Sequence, residues 1–227
     1  MERTKNAERI AKKALELGAI RLSPAKPFCW ASGYYMPIYN DNRTLLGDAE
    51  CRRLIAESFE EILTSLNYDP ENIAGTSTSG IPHATTLADK MGKPLTYVRA
   101  SSKDHGLQNQ IEGLGTAPGY EGKKVVLIED LISTGKSSIA AVKAIQEANG
   151  VVPYCLAIFS YGFQKGTDAF AALNPVCEYK TILDYEYVIG IAKEIGYIEP
   201  QYESMLLEWG KDPFAWGENH GFKKEEN

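Results

Sequence analysis

No pair of cysteines in this chain of 227 residues stands at CxxC spacing. Cys29, Cys51, Cys155 and Cys177 lie far apart, which fits neither a small disulfide scaffold nor a zinc cluster and suits reduced thiols in a cytoplasm. No apolar run approaches the ~20 residues that a bilayer-spanning helix needs. The opening stretch, MERTKNAERIAKKALELGAI, is too charged for the apolar core of a secretory signal. Positive charge is not in excess either: 24 Lys and Arg against 30 Asp and Glu give a formal charge of −6. Bulk attraction to nucleic acid or to an anionic membrane is therefore not expected, and any anionic ligand must be caught by a local site. A hydrophobic share of 44% with 24% charged residues excludes collagenous and wholly disordered classes. With no internal repeat, low-complexity tract or linker, the expectation is one domain over 1–227, cytoplasmic and soluble.

Helical spacing of Ile10, Ala14, Leu15 and Leu17, stopped by Gly18, predicts an amphipathic helix over 3–17. Residues 27–43 are rich in aromatics, Pro, Gly and Asn and predict short strands and turns. A second helix is expected over 47–66, opened by Asp48 as N-cap. The chain then alternates: strand 72–76, helix 82–91, strand 95–99, a polar loop to about 119, strand 124–129, helix 135–148 and strand 152–159. That alternation implies a parallel sheet flanked by helices, with ligands off the carboxyl ends of its strands. A strand near 178–183 and helices around 186–195 and 199–209 follow. From 211 to 227 periodicity is lost, which predicts a tail from which Phe214 and Trp216 can dock on the body.

The strongest signal is KKVVLIEDLISTGKSS, residues 123–138, where a short apolar run ends in two carboxylates and a Ser/Thr/Gly turn. Gly135, Lys136 and Ser137 invite a nucleotide P-loop reading, but that pattern needs glycine at the position of Asp130. What remains is a helix N-terminus whose backbone N–H groups at Thr134, Gly135, Lys136, Ser137 and Ser138 favour a phosphate dianion. Glu129 and Asp130 would repel that phosphate directly and are better suited to accept from sugar hydroxyls. The bland alternative is a buried strand whose acidic end caps the next helix. A phosphate nest beside sugar-binding acids resembles the phosphoribosyl diphosphate (PRPP) motif of the type I phosphoribosyltransferases. The resemblance implies PRPP contacts from Glu129, Asp130, Leu131, Ile132, Ser133, Thr134, Gly135, Lys136 and Ser137.

Two further loops bear on the same ligand. Residues 94–115 leave an apolar strand through Arg99, Lys103 and His105, three potential cations within seven positions, on a long polar loop of the kind that often closes as a lid. Such cations would meet the charge that develops on a departing diphosphate; a solvated surface loop is the bland alternative. Lys103, Asp104, His105 and Gly106 after Arg99 resemble the catalytic loop of orotate phosphoribosyltransferases, although Ala100 and Ser101 stand where many members carry another lysine. In GTSTSGIPHATTLADKMG, residues 75–92, small residues follow a strand and precede a helix, with Pro82 as its predicted start, so backbone donors can approach an anion. By position Thr76, Ser77, Thr78, Ser79 and Gly80 resemble that family's diphosphate loop, with Ser79 where some relatives have lysine. His83 is read as an ordinary helix-start residue.

The segment WASGYYMPIYNDNR, residues 30–43, resembles the N-terminal hood of bacterial orotate phosphoribosyltransferases, with Met36 where serine is usual. Its Trp30, Tyr34, Tyr35 and Tyr39, with Phe28 before them and with Ser32, Asn40, Asn42 and Arg43, supply apolar faces plus amide and guanidinium donors for a flat anionic heterocycle; aromatic core packing is the commoner use of such residues. The resemblance covers about residues 22–166. It implies a type I phosphoribosyltransferase fold, a central parallel α/β sheet with a small hood from about 20–43. It also implies transfer of the phosphoribosyl group from PRPP to orotate, with Lys103, His105, Glu129 and Asp130 as catalytic groups and Ser133 touching the base. An arginine that holds orotate in some members has no counterpart in AIFSYGFQKG, residues 157–166, and Arg43 is the candidate replacement. Mg²⁺, bound mainly through PRPP rather than by a protein cage, and a homodimer with shared active sites are further implications. Another base-specific enzyme of this fold, or a PRPP-sensing regulator without catalysis, remains open.

Overall fold

The computed structural model describes residues 3–30, 32–100 and 110–225. Helix α1 (Ala7–Glu16) leads into short strands β1 (Ile20–Leu22), β2 (Phe28–Cys29), β3 (Tyr35–Met36) and β4 (Ile38–Asn40), then a 3₁₀ turn (Asn42–Gly47) and α2 (Ala49–Ser65). Asp48 caps α2 as expected, its carboxylate accepting from the Cys51 N–H at 2.8 Å. The alternating part follows as β5 (Asn72–Thr76), α3 (Gly80–Met91), β6 (Leu95–Val98), β7 (Ile111–Glu112), β8 (Lys124–Ile132), α4 (Lys136–Glu147) and β9 (Val151–Ser160). The chain continues through α5 (Gln164–Ala171), β10 (Glu178–Asp184), α6 (Tyr185–Glu194), α7 (Glu203–Lys211) and α8 (Pro213–Asn219).

One sheet runs in the order β10-β9-β8-β5-β6-β7, parallel except for β7, which pairs antiparallel with β6. Alternation of side chains across β8 and β9 builds a core on each face. Val126, Ile128, Leu156 and Ile158 join the cluster under α1, α2, α3, α6 and α7. Val125, Leu127, Cys155 and Ala157 join the cluster under α4 and α5. β6 follows β5 to one side and β8 returns on the other, so the strand order reverses between β5 and β8. A ligand crevice is expected at such a switch point, beyond the carboxyl ends of those two strands.

Several elements depart from the sequence reading. β8 does not end at its two carboxylates but continues to Ile132, pairing Leu131 with Phe159 and Ile132 with Ser160. α3 begins at Gly80, two residues before Pro82. β7 forms inside the segment read as loop, and α5 was not expected at all. The final stretch is helical where no periodicity was read: α7 reaches Lys211 and Asp212 caps α8 by accepting from the Ala215 N–H at 3.3 Å, while Trp216 is buried, in line with the docking expected of it. Among the described residues no helix is long and apolar enough to cross a membrane.

Candidate functional site

The loops after β5 and β8 face each other across the switch point, and a carboxylate in β8 ties the last residue of β5 to the first turn of α4. Glu129 is 5% exposed, and every partner of its carboxylate is a donor. Oε1 accepts from the Thr76 hydroxyl at 2.7 Å and from the Asp130 N–H at 3.0 Å. Oε2 accepts from the Ser138 hydroxyl at 3.0 Å and from Ser137 at 3.4 Å. The carboxylate that the sequence assigned to a sugar is thus engaged within the protein. Asp130 lies beside it, half-buried. Burial, and then the Glu129 carboxylate, push the Asp130 carboxyl up to about 7. Its backbone is fixed from the N-terminal segment, where the Asn42 amide donates to the Asp130 carbonyl at 2.7 Å.

Backbone geometry shapes both loops. Gly135 adopts φ +77° ahead of α4, the left-handed conformation that glycine takes at no steric cost, and turns the chain into the first helical turn. A Cβ on Gly80 would run into the Ile128 carbonyl oxygen and the Thr76 hydroxyl, so only glycine lets the start of α3 lie this close to β8. The Ser77–Thr78 peptide is cis.

A cavity of about 430 Å³ opens between the loops, lined by Thr76, Ser77, Arg99, Ser133, Thr134, Lys136 and Ser137 among others. Hydroxyls, two cations and the α4 N-terminus converge there, the chemistry that suits a phosphorylated sugar. Of the residues assigned to the first phosphate loop, Thr76 and Ser77 reach the cavity, while Thr78, Ser79 and Gly80 carry the turn into α3. Ile132 points into the core and Leu131 lines the cavity. Arg99 stands at the rim in a 3.5 Å ion pair with Glu112. Lys103 and His105 lie outside the described residues.

A second cavity of about 430 Å³ adjoins the first and shares Leu131 and Ser133 with it. Its other walls are Cys29, Trp30, Ser32, Tyr39 and Asn40 from the hood and Tyr161 directly after β9. Asn40 stands out because both its amide nitrogen and its amide oxygen are covered without a partner. Arg43 does not line this cavity. Its guanidinium grips Asp41 through two bonds, at 2.6 and 2.8 Å, and its side chain is 66% exposed. Tyr161 was missed by sequence reasoning, which searched its segment only for an arginine; an aromatic directly after an apolar strand was the available signal.

Among the described residues no three of His, Cys, Asp and Glu cluster as a metal cage. The Glu129 oxygens already accept from four donors, and the adjacent Asp130, itself a hard oxygen donor, is in the lining of neither cavity. That donor set suits a hard cation held mostly by a ligand's own oxygens.

Residues 42–171 match the family described as phosphoribosyl transferase domain. The chain is 45% identical to the orotate phosphoribosyltransferase of Bacillus pumilus over 90% of this chain and 94% of that one. It is 44% identical to the orotate phosphoribosyltransferase of Enterococcus faecalis over 94% of this chain and 99% of that one. The crystal structure of orotate phosphoribosyltransferase from Aeropyrum pernix superposes with a TM-score of 0.68 at 25% identity, covering 84% of this chain and 99% of that one.

Proposed function

Because the chain belongs to the orotate phosphoribosyltransferase family, we propose that it joins orotate to the phosphoribosyl group of PRPP, giving orotidine 5′-monophosphate and diphosphate. The observation that carries this reading is the pair of cavities meeting at Leu131 and Ser133. One is an anion nest sized for a sugar phosphate and the other an aromatic slot for a flat ring. Their junction is where N1 of the base would face the anomeric carbon.

In the reaction the bond from the anomeric carbon to diphosphate breaks as the bond to orotate N1 forms, through a transition state with oxocarbenium character, and the N1 proton leaves to the departing diphosphate or to water. The N–H groups at residues 134–138 hold the 5′-phosphate, and the Ser133 hydroxyl reaches the base. Asp130 orients the ribose hydroxyls, while Glu129 keeps the two loops in register around them. Arg99, with Lys103 and His105 beyond it, meets charge gathering on the leaving diphosphate. Mg²⁺, when bound, would be held by PRPP oxygens with Asp130 alongside, and would screen the diphosphate charge. Supporting a cytoplasmic setting, the four thiols are unbonded.

An assay offering orotate, uracil, hypoxanthine and adenine, each with PRPP and Mg²⁺, tests the reading. Consumption of orotate alone is expected. Preference for another base would reassign the substrate, and no turnover with PRPP binding retained would favour a sensor.

We also read the active enzyme as a homodimer in which the loop bearing Lys103 serves the neighbouring site. Lys103→Ala and Asp130→Asn, refolded together, should regain activity in hybrid dimers, since one site then carries both defects and the other neither. Hybrids as inactive as their parents would rule out shared sites.

A further inference from the structure

The β2–β3 hairpin pairs only within itself, Phe28 with Met36 and Cys29 with Tyr35, and is separate from the six-stranded sheet. An isolated two-stranded hairpin is marginal in water, so something else must hold it. One side of it, through Cys29, Trp30 and Ser32, walls the base cavity. The other side is covered by the end of the chain. The Trp209 indole N–H donates to the Met36 sulfur at 3.0 Å. Phe214 meets Tyr34 edge-on at 5.3 Å, and Phe222 stacks on Tyr35 at 5.8 Å. The Lys224 ammonium sits 4.5 Å over the Tyr34 ring. At the hairpin tip the Glu225 N–H donates to the Gly33 carbonyl at 3.0 Å, and the Tyr35 hydroxyl donates to the Glu225 carboxylate. Glycines permit this approach from both partners. A Cβ on Gly33 would overlap the Glu225 carbonyl oxygen, and one on Gly217 would sit 3.1 Å from the Tyr35 carbonyl oxygen.

We propose that residues 213–225 form a clasp that holds the hairpin as a wall of the base cavity, so that the end of the chain sets affinity for the heterocycle. The proposal rests on the reading of that cavity as the orotate site. It predicts a separation of effects, because the phosphoribosyl cavity takes none of its described lining residues from the hairpin or the clasp. Trp30 keeps its own anchors, its indole N–H donating to the Ile38 carbonyl at 3.0 Å and its ring against Tyr161 and Trp209, so loosening the clasp frees the hairpin from Cys29 to Tyr35 around it without disturbing the loops after β5 and β8.

The test compares wild type, a chain ending at Gly221 and Phe222→Ala, with KM for orotate, KM for PRPP, kcat and melting temperature measured for each. Both variants should raise the orotate KM about tenfold or more while the PRPP KM stays within about twofold and kcat at saturating orotate is nearly kept. Unchanged orotate KM, or both KM values rising together with a falling melting temperature, overturns the clasp. Should the shortened chain fail to fold, Phe222→Ala and Lys224→Ala decide by the same split. If wild type uses a base other than orotate, the substrate reading fails by itself, and the clasp is judged on the KM for the base that is used.

Discussion

The Thr76 hydroxyl reaches Glu129 across 53 residues of sequence and donates to its carboxylate at 2.7 Å, joining the end of β5 to β8. Two adjacent acids therefore divide their work. Glu129 ties the end of β5 to the first turn of α4, and Asp130, on the proposed reading, is the acid left for the ligand.

Replacing each should separate these tasks. Glu129→Gln turns one acceptor into a donor facing hydroxyls, which should cost about 1–3 kcal/mol. At ~2–4 °C per kcal/mol for a chain of this size, the melting temperature should drop by several degrees, with a weaker PRPP KM. Asp130→Asn should leave melting unchanged or raise it, because burial already disfavours its charge, while orotate turnover collapses. Calorimetry beside initial rates checks both; equal melting losses in the two variants would contradict the division.

Asp130 also makes a pH statement. Its carboxyl is raised from 3.8 to about 7, so the folded state holds the proton more tightly than the unfolded chain does. The stability it contributes is fully present below about pH 4 and is lost as pH rises toward about 7. The melting advantage of Asp130→Asn over wild type should accordingly be small at pH 4, grow through that window and level off above it. Binding of PRPP with Mg²⁺ should release a proton near pH 6.5, seen as a dependence of the binding heat on buffer ionisation; an identical heat in every buffer would count against Asp130 as the ligand's partner.

His83 acts in the opposite sense. It is buried with neither ring nitrogen partnered, and burial together with the Arg52 charge lowers it from 6.5 to about 4. Stability from this group is present above about 6.5 and lost as pH falls to about 4, where the unfolded chain protonates first. His83→Leu should flatten the acid limb of the stability profile between those values, measured by denaturant melts at half-unit pH steps.

Asn40 carries two covered polar atoms without partners. Asn40→Leu, close to it in shape, should raise stability by about 1 kcal/mol or more. If the amide is there to meet the base, the orotate KM should rise at the same time with the PRPP KM unchanged. A stabilised variant with native orotate KM would leave the amide without a role in recognition.

The parallel strands of the sheet were legible because short apolar runs bounded by turn residues alternate with helical spacing, whereas β7, two residues long, leaves no such run. Glu129 misled because charge ordinarily marks the end of a buried strand. What keeps it inside β8 is satisfaction by Thr76, Ser137 and Ser138, which no local pattern reveals. α5 was hidden by Gly166, a helix breaker in sequence but a spacer in the fold, where a Cβ would come within 2.8 Å of the Ser133 carbonyl oxygen. The end of the chain reads as polar and without periodicity, and its order comes from Trp209 and Phe222 packing on a hairpin far away in sequence, with Trp216 stacked on Phe222 and donating to the Met205 carbonyl. Met36, a departure from the family's serine, gained its meaning only with Trp209 against it. The turn into α4 could be read from residue types alone, because a helix start needs only glycine and small side chains in the right order. Arg43 could not be placed, since its pairing with Asp41 two residues away is a rotamer choice.

The wall shared by the two cavities has a consequence for descent. On the proposed reading, sugar and phosphate fall to the switch point of the sheet and the ring to the hood and Tyr161, and among the described residues the two cavities share Leu131 and Ser133. Substitutions in the hairpin can therefore drift toward a different heterocycle while the group-transfer machinery stays intact, so a lineage with this layout can explore new acceptors one small step at a time without passing through an inert ancestor.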